Sequence, residues 1–107
     1  MAQFDVYRNN GRDSKAIPFV VDIQYDIFAD CGSRIVIPLL SAEIARARKM
    51  DYIEKANLVF MFGDTELILA TQLLAAISVK ELRGKVGSIA FMRSDILATV
   101  DALLSGF

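Results

Sequence analysis

The sequence predicts a mainly β domain that ends in one α-helix. Short apolar segments rich in valine, isoleucine and phenylalanine recur along residues 3–79, separated by turn-forming residues, which is typical of strands. From Ser88 onward the apolar residues recur every three or four positions, which is the period of a helix that buries one face. At a length of 107 residues, a single domain over residues 1–107 is expected.

Five segments predict strands because their apolar residues alternate or run continuously. They are residues 3–7, 17–23, 34–39, 57–62 and 66–71. Residues 57–62 predict a buried strand because they are apolar almost throughout. Pro38 predicts the end of the third strand, since proline has no N–H to donate. Gly63 and Asp64 predict a two-residue hairpin turn between the last two segments.

Polar and glycine-containing segments predict the connections between these elements. They are an exposed loop over residues 9–14, a turn over 29–33 and a connector over 80–87. Residues 73–79 predict extended chain with a kink, although their leucines and alanines also have helical propensity. Residues 41–52 leave two interpretations open, a helix that begins near Ser41 or a mobile excursion from the sheet.

The terminal segment predicts an amphipathic helix with Ser88 as its cap and Gly106 at its end. Its apolar stripe consists of Met92, Ile96, Leu97, Val100, Leu103, Leu104 and Phe107. The stripe predicts core together with an interface between copies of the chain, since hydrophobic residues make up 54% of a short chain. Two interpretations of the end remain open. One is an ordinary helix stop with Phe107 folded back, and the other is a tip presented to a partner.

The composition excludes several kinds of active site. The chain has no histidine, which removes Ser-His-Asp, Cys-His and zinc-peptidase chemistry. Cys31 is the single cysteine, so no internal disulfide or thiolate cluster forms, and beside Gly32 it predicts a bystander in a turn. The net charge of −1 is unlike the basic surface of a nucleic-acid-binding protein. A cytoplasmic protein without cofactor, signal peptide or membrane span is expected.

The charged residues predict solvated groups. Asp22 and Asp26 lie four positions apart without an accompanying base or metal-ligand set, so a solvated pair is expected there. The basic cluster at residues 46–49 is flanked by acidic residues, which favours an exposed face over a phosphate site.

Four segments in order resemble the CcdB family, the toxins of a class of bacterial toxin–antitoxin pairs. They are residues 3–7 (QFDVY), 21–27 (VDIQYDI), 34–39 (RIVIPL) and the terminal residues 95–107. The resemblance covers essentially the whole chain, and the second and third segments are its most specific parts. It implies an SH3-like barrel variant, with a twisted antiparallel sheet, a small wing sheet and a C-terminal helix, that forms a homodimer.

The resemblance implies a function by binding rather than by catalysis. Family members bind the GyrA subunit of DNA gyrase and trap the cleaved DNA–gyrase complex. A disordered segment of a CcdA-like antitoxin removes the toxin, and the toxin–antitoxin complex represses its own operon through DNA contacts of the antitoxin. The toxin itself is therefore expected to contact neither nucleic acid nor membrane directly, and no enzymatic activity is expected.

The resemblance also implies two sets of contact residues. The gyrase-binding positions are Ile27, Phe28, Asp101, Leu104, Ser105, Gly106 and Phe107. The antitoxin-binding positions are Arg8, Asn9, Asn10, Gly11, Arg12, Ser41, Glu43 and Arg46. Ser105 departs from the best-known members, which have a tryptophan there to stack on a gyrase arginine. That loss removes a contact of about 0.5–2 kcal/mol per subunit.

Two alternatives stay open on the sequence. A MazF-like mRNA endoribonuclease shares this fold class and would need a catalytic arginine, for which Arg34 is the one candidate at a strand edge. A non-toxic homologue that still binds the antitoxin is suggested by Ser105.

Overall fold

The computed structural model describes residues 2–50 and 57–106, and for residues 27–29 it describes the backbone. Within these ranges seven strands form one antiparallel sheet that curls into a half barrel. The strands are β1 (Asp5–Arg8), β2 (Phe19–Asp22), β3 (Ser33–Ser41), β4 (Val59–Phe62), β5 (Thr65–Leu69), β6 (Ala75–Ser78) and β7 (Lys85–Ser88). The helices are α1 (Ala42–Ala47) and α2 (Arg93–Ser105), with 3₁₀ helices at Asp26–Cys31, Thr71–Leu73, Val79–Glu81 and Ala90–Met92. The mainly β prediction with a terminal helix is confirmed.

The long strand β3 organises the sheet, whose order is β4-β5-β3-β2-β1-β7 with β6 also paired to β3. One side of β3 pairs with β2, and the other side pairs with β6 and then β5. The predicted strand end at Pro38 is wrong. Pro38 lies inside β3 opposite Val20, and its carbonyl accepts the N–H of Ala70 at 3.0 Å, so the strand loses one donor and continues.

The predicted hairpin at Gly63 and Asp64 is confirmed, and the β4–β5 hairpin forms the small wing beside β3. Gly63 has φ +59°, the positive angle that glycine adopts at little cost at the first position of such a turn. The prediction that residues 57–62 form a buried strand is wrong. Val59 and Met61 are exposed because β4 is an edge strand that packs one face on the core and turns the other to solvent.

Strand β7 was not predicted, because the polar and glycine-containing sequence of residues 80–87 indicated a connector. It pairs with β1 through a register irregularity, and Val6 lies opposite Gly87. A Cβ on Gly87 would lie 3.0 Å from a ring carbon of Phe62, so the glycine admits the close approach of the wing. The polar composition of β7 reflects its position at a sheet edge.

The segment after β3 forms helix α1, which decides the open interpretation of residues 41–52 in favour of a helix that covers Ala42–Ala47. The Ser41 hydroxyl accepts the N–H of Ile44 at 3.3 Å and caps its first turn. Residues 51 and 52 of the predicted range lie outside the described residues. The predicted strand over 66–71 ends earlier, as β5 at Leu69, and residues 75–78 of the predicted extended segment form β6.

Helix α2 closes the core over one face of the half barrel. The core cluster includes Phe4, Val6, Val21, Ile37, Leu39, Leu67, Leu69, Ile89 and Ile96. Ile96 is the α2 residue in this cluster, and Leu97 and Val100 pack against it. The prediction that Ser88 caps this helix is wrong. Its hydroxyl accepts the N–H of Ala90 at the preceding 3₁₀ helix, and α2 begins at Arg93 without a side-chain cap.

Candidate functional site

The end of α2 exposes its side chains to solvent. Val100 still packs partly against the core, whereas Leu103 is exposed and Leu104 is 76% exposed. Gly106 ends the helix with φ +81° and donates its N–H to the carbonyl of Ala102 at 2.9 Å. The predicted glycine C-cap is therefore confirmed. We call this end, residues 101–107, the tip; its last residue, Phe107, lies outside the described residues.

The remaining tip residues are oriented by the helix itself. The Ser105 hydroxyl donates to the carbonyl of Asp101 at 2.7 Å, and both residues are exposed. Ile27 and Phe28 lie on the 3₁₀ helix Asp26–Cys31, and their side chains are outside the described residues. The 3₁₀ elements against which α2 chiefly packs are Thr71–Leu73 and Ala90–Met92. The predicted gyrase-binding residues thus lie on two elements, the 3₁₀ helix Asp26–Cys31 and the end of α2.

A groove of about 450 Å³ lies on the face of the sheet beside the loop over residues 9–14. Its lining includes Arg8, Asn9, Asn10, Gly11, Arg12, Ile17, Val20, Val36, Pro38, Leu73, Ala75, Ile77, Glu81 and Arg83. The floor is apolar, while the lining carries three arginines against one glutamate. Asn9 and Asn10 hold the loop in place, because their side-chain amides donate to the carbonyls of Ile17 and Arg83. An acidic segment with apolar side chains would match this groove in charge and polarity.

The other predicted antitoxin-binding residues lie at a separate place. Ser41 and Glu43 line a smaller cleft together with residues 61 and 64–66 of the wing. Arg46, on the same helix, forms an ion pair with Glu66. The structure therefore brings Arg8 to Arg12 together in the groove, whereas Ser41 and Glu43 line the other cleft. Arg48, at the end of α1, forms an ion pair with Asp13 of the loop at 3.1 Å.

A buried ion pair lies between β2 and β3. Asp22 and Arg34 are both 0% exposed, and Nε of Arg34 lies 2.8 Å from Oδ2 of Asp22. Arg34 also donates to the carbonyl of Gln24, and Asp22 accepts the N–H of Gln24. Burial raises the pKa of Asp22, against the opposing effects of these two partners. The predicted solvated pair is wrong for Asp22, whereas Asp26 is indeed exposed.

Almost the whole sequence matches one known protein family. A family model described as CcdB protein matches residues 3–106. The chain belongs to the CcdB family. No curated protein gives a significant match. The CcdB family consists of toxins of toxin–antitoxin systems, and the chain is therefore a toxin of such a system.

The structure leaves the MazF-like alternative without its catalytic residue. Arg34 was the candidate arginine at a strand edge, but its side chain is fully buried and paired with Asp22. A nuclease arginine has to reach the phosphate of the RNA, which this guanidinium does not do. The position of Arg34 in the CcdB fold is thus structural.

Sequence reasoning missed several lining residues of the groove, of which Leu73, Ile77 and Arg83 are examples. They follow β5 in a part of the chain where the sequence shows mixed propensity. The signal that was present is the alternation in β6, in which Ala75 and Ile77 point toward one face.

Within the described residues no helix is long and apolar enough to cross a membrane, and no acidic, cysteine or histidine side chains cluster as metal ligands.

Tyr7 gives this CcdB-family domain a predictable alkaline instability. Burial raises the pKa of Tyr7 above its usual 10.0, and the carboxylates of Asp5 and Asp22 add to the effect. Above pH 10 the unfolded chain releases this proton first, so the folded state binds more protons and the unfolding free energy falls as pH rises. We expect Tyr7→Phe to make that fall shallower between pH 9 and 11, as measured by urea unfolding. An identical slope in both proteins would contradict this origin.

Proposed function

We propose that this toxin binds the GyrA subunit of DNA gyrase through the tip and traps the cleaved DNA–gyrase complex. The proposed contacts come from the tip and from the 3₁₀ helix Asp26–Cys31. They are Asp101, Leu104, Ser105, Gly106 and Phe107 of the tip, and Ile27 and Phe28 of the 3₁₀ helix. The observation that supports this best is the glycine-capped end of α2, which presents the exposed Leu104 to solvent. A helix anchored by Ile96 in the core holds such an end in a defined position.

The chemistry of the tip suits recognition of a protein. Leu104 offers apolar surface to be removed from water, and Asp101 offers a carboxylate to a cationic partner. The Ser105 hydroxyl already donates within the helix, so it contributes shape more than a hydrogen bond. We infer that the toxin acts in the cytoplasm by binding and performs no chemistry of its own.

We further propose that the toxin is a homodimer that uses exposed apolar residues of α2, including Leu103. A symmetric dimer presents two equal tips, so each weak contact to a symmetric target counts twice. Sedimentation of the purified protein is expected to give twice the mass of the chain.

The groove is the proposed binding site of a CcdA-like antitoxin. The predicted antitoxin residues Arg8, Asn9, Asn10, Gly11 and Arg12 line it. Its arginines and apolar floor favour an acidic segment with apolar side chains, which an unfolded antitoxin tail can supply as it orders on binding. Ser41, Glu43 and Arg46 are proposed to contact the antitoxin farther along its path.

Charge reversal at the groove is expected to weaken antitoxin binding without affecting gyrase. The double variant Arg12→Glu/Arg83→Glu is expected to lower the affinity for an antitoxin peptide about tenfold at low salt, and less at high salt. Both side chains are exposed, so the fold should be retained. Lys49→Glu, an exposed lysine outside the groove lining, is the matched control. Equal affinity of the groove variant and the control would contradict this assignment.

Induction of the chain in a bacterial host tests the proposed function. Growth arrest that is relieved by the cognate antitoxin is expected, and continued growth would support the non-toxic alternative. Purified protein is then incubated with mRNA in the absence of gyrase. Intact RNA is the expected result, and cleaved RNA would contradict action on gyrase.

A further inference from the structure

A buried pair of hydroxyl groups joins α2 to the sheet just before the tip. Oγ1 of Thr99 lies 2.8 Å from Oγ1 of Thr71, and the two residues are 8% and 3% exposed. Thr71 begins the 3₁₀ helix Thr71–Leu73, against which α2 packs. Among the described residues, this is the side-chain hydrogen bond closest to the tip that links α2 to another element.

The direction of this hydrogen bond follows from the proton count. The Thr99 hydroxyl donates to the carbonyl of Ile96 at 2.7 Å. A hydroxyl carries one proton, so Thr99 has none left for Thr71. Thr71 must therefore be the donor and Thr99 the acceptor. The contact is directional, whereas the apolar contacts of Ile96 and Val100 around it tolerate small rotations of the helix.

The tip amplifies any rotation at Thr99. The seven helical steps from Thr99 to Gly106 span about 10 Å along the helix axis, so tilting the helix by about 10° at Thr99 moves the tip by about 2 Å. Beyond Val100 the helix has mostly exposed side chains and little packing to oppose such a tilt. The last directional contact before the tip thus controls where Leu104 and Gly106 lie.

We propose that the Thr71–Thr99 hydrogen bond positions the tip for GyrA. This inference rests on the proposed function of the tip. Thr71 and Thr99 are positioning residues, since both are buried and act through the direction of α2. The bond fixes the angle of α2. Its loss is therefore expected to lower the affinity for GyrA by more than the accompanying loss of stability explains.

Four variants of the full chain separate positioning from stability. Thr99→Val leaves the Thr71 hydroxyl without its acceptor. Thr71→Val removes the donor but leaves the Thr99 hydroxyl bonded to the carbonyl of Ile96, and Thr71→Ser keeps the donor. Thr71→Val/Thr99→Val replaces both groups by methyls of similar shape, which restores much of the stability lost in the single variants. For each protein, urea unfolding gives the stability, and titration with the purified GyrA fragment gives the affinity.

The single valine variants are expected to bind GyrA about tenfold more weakly, and Thr71→Ser to bind within about twofold of the wild type. The double valine variant is expected to regain stability while its affinity stays low. If its affinity returns together with its stability, the bond is only structural and the inference is wrong. Unchanged affinity in every variant also overturns the inference, whereas a wild-type protein that fails to bind GyrA overturns the proposed function itself.

Discussion

Removal of residues 105–107 is expected to lower the affinity for GyrA by at least about 100-fold, because the proposed interface would lose its centre. Ser105 and Gly106 are exposed and belong to no core cluster, so the unfolding free energy is expected to fall only by the loss of the helix cap, about 1 kcal/mol or less. The two effects are measured by titration with a GyrA fragment and by urea unfolding. Induction of the truncated chain should no longer arrest growth.

The groove supplies the internal control for this truncation. The truncated protein is expected to bind an antitoxin peptide as the wild type does, since the groove lining ends at Arg83. Ser105→Ala, which keeps the chain length, is expected to stay toxic. A truncated protein that still arrests growth would show that gyrase contacts another surface.

Asp22→Asn is expected to destabilise the domain by about 3–5 kcal/mol, because it leaves the Arg34 charge buried without its carboxylate. The guanidinium keeps the carbonyl of Gln24 as an acceptor, but in the described part of the chain its Nη1 has no hydrogen-bond partner, so the lost contact is replaced only in part. A loss of this size is a large share of the stability of a small domain. Urea unfolding at one fixed protein concentration measures it.

Two further variants test whether the burial of the pair is the cause. Asp26→Asn removes an exposed carboxylate 3.8 Å from Arg34 and is expected to cost less than about 1 kcal/mol. Asp22→Asn/Arg34→Met removes both charges and is expected to recover much of the loss. Equal losses for Asp22→Asn and Asp26→Asn would contradict the account.

The local features of the fold were predictable where short-range chemistry decides them. Gly63 and Asp64 predicted the hairpin because few residues accept the backbone angles of a two-residue turn. Gly106 predicted the end of α2 for the same reason. The position of Ile96 followed from a stripe of apolar residues with the period of a helix.

The remaining features depend on partners that are distant in sequence. β7 is polar and contains Gly87, which lies opposite Val6 of β1 and close to the ring of Phe62 in the wing. The sequence alone predicts a surface position for Asp22, because its partner Arg34 comes from the separate strand β3. Charged residues at inward-facing strand positions are the one signal that indicates such a pair in advance.

The candidate site also has parts that the sequence predicts and parts that depend on distant partners. The tip was predictable because it is a single helix end whose shape depends on its own residues. The groove was predictable only on the side of the loop, since Leu73 and Ile77 reach it through the pairing of β6 with β3. The contact between Thr71 and Thr99 could not be foreseen, because it joins a 3₁₀ helix to α2 across 28 residues of sequence.

The most direct test of the central claim is the trapping of the cleaved DNA–gyrase complex. Purified gyrase, supercoiled plasmid and ATP are incubated with the toxin and then treated with detergent and protease, which release any trapped break as linear DNA. The wild-type toxin is expected to yield linear plasmid in proportion to its concentration. The protein without residues 105–107 is expected to yield none. Absence of linear DNA with the wild type, or equal amounts with both proteins, would contradict the account.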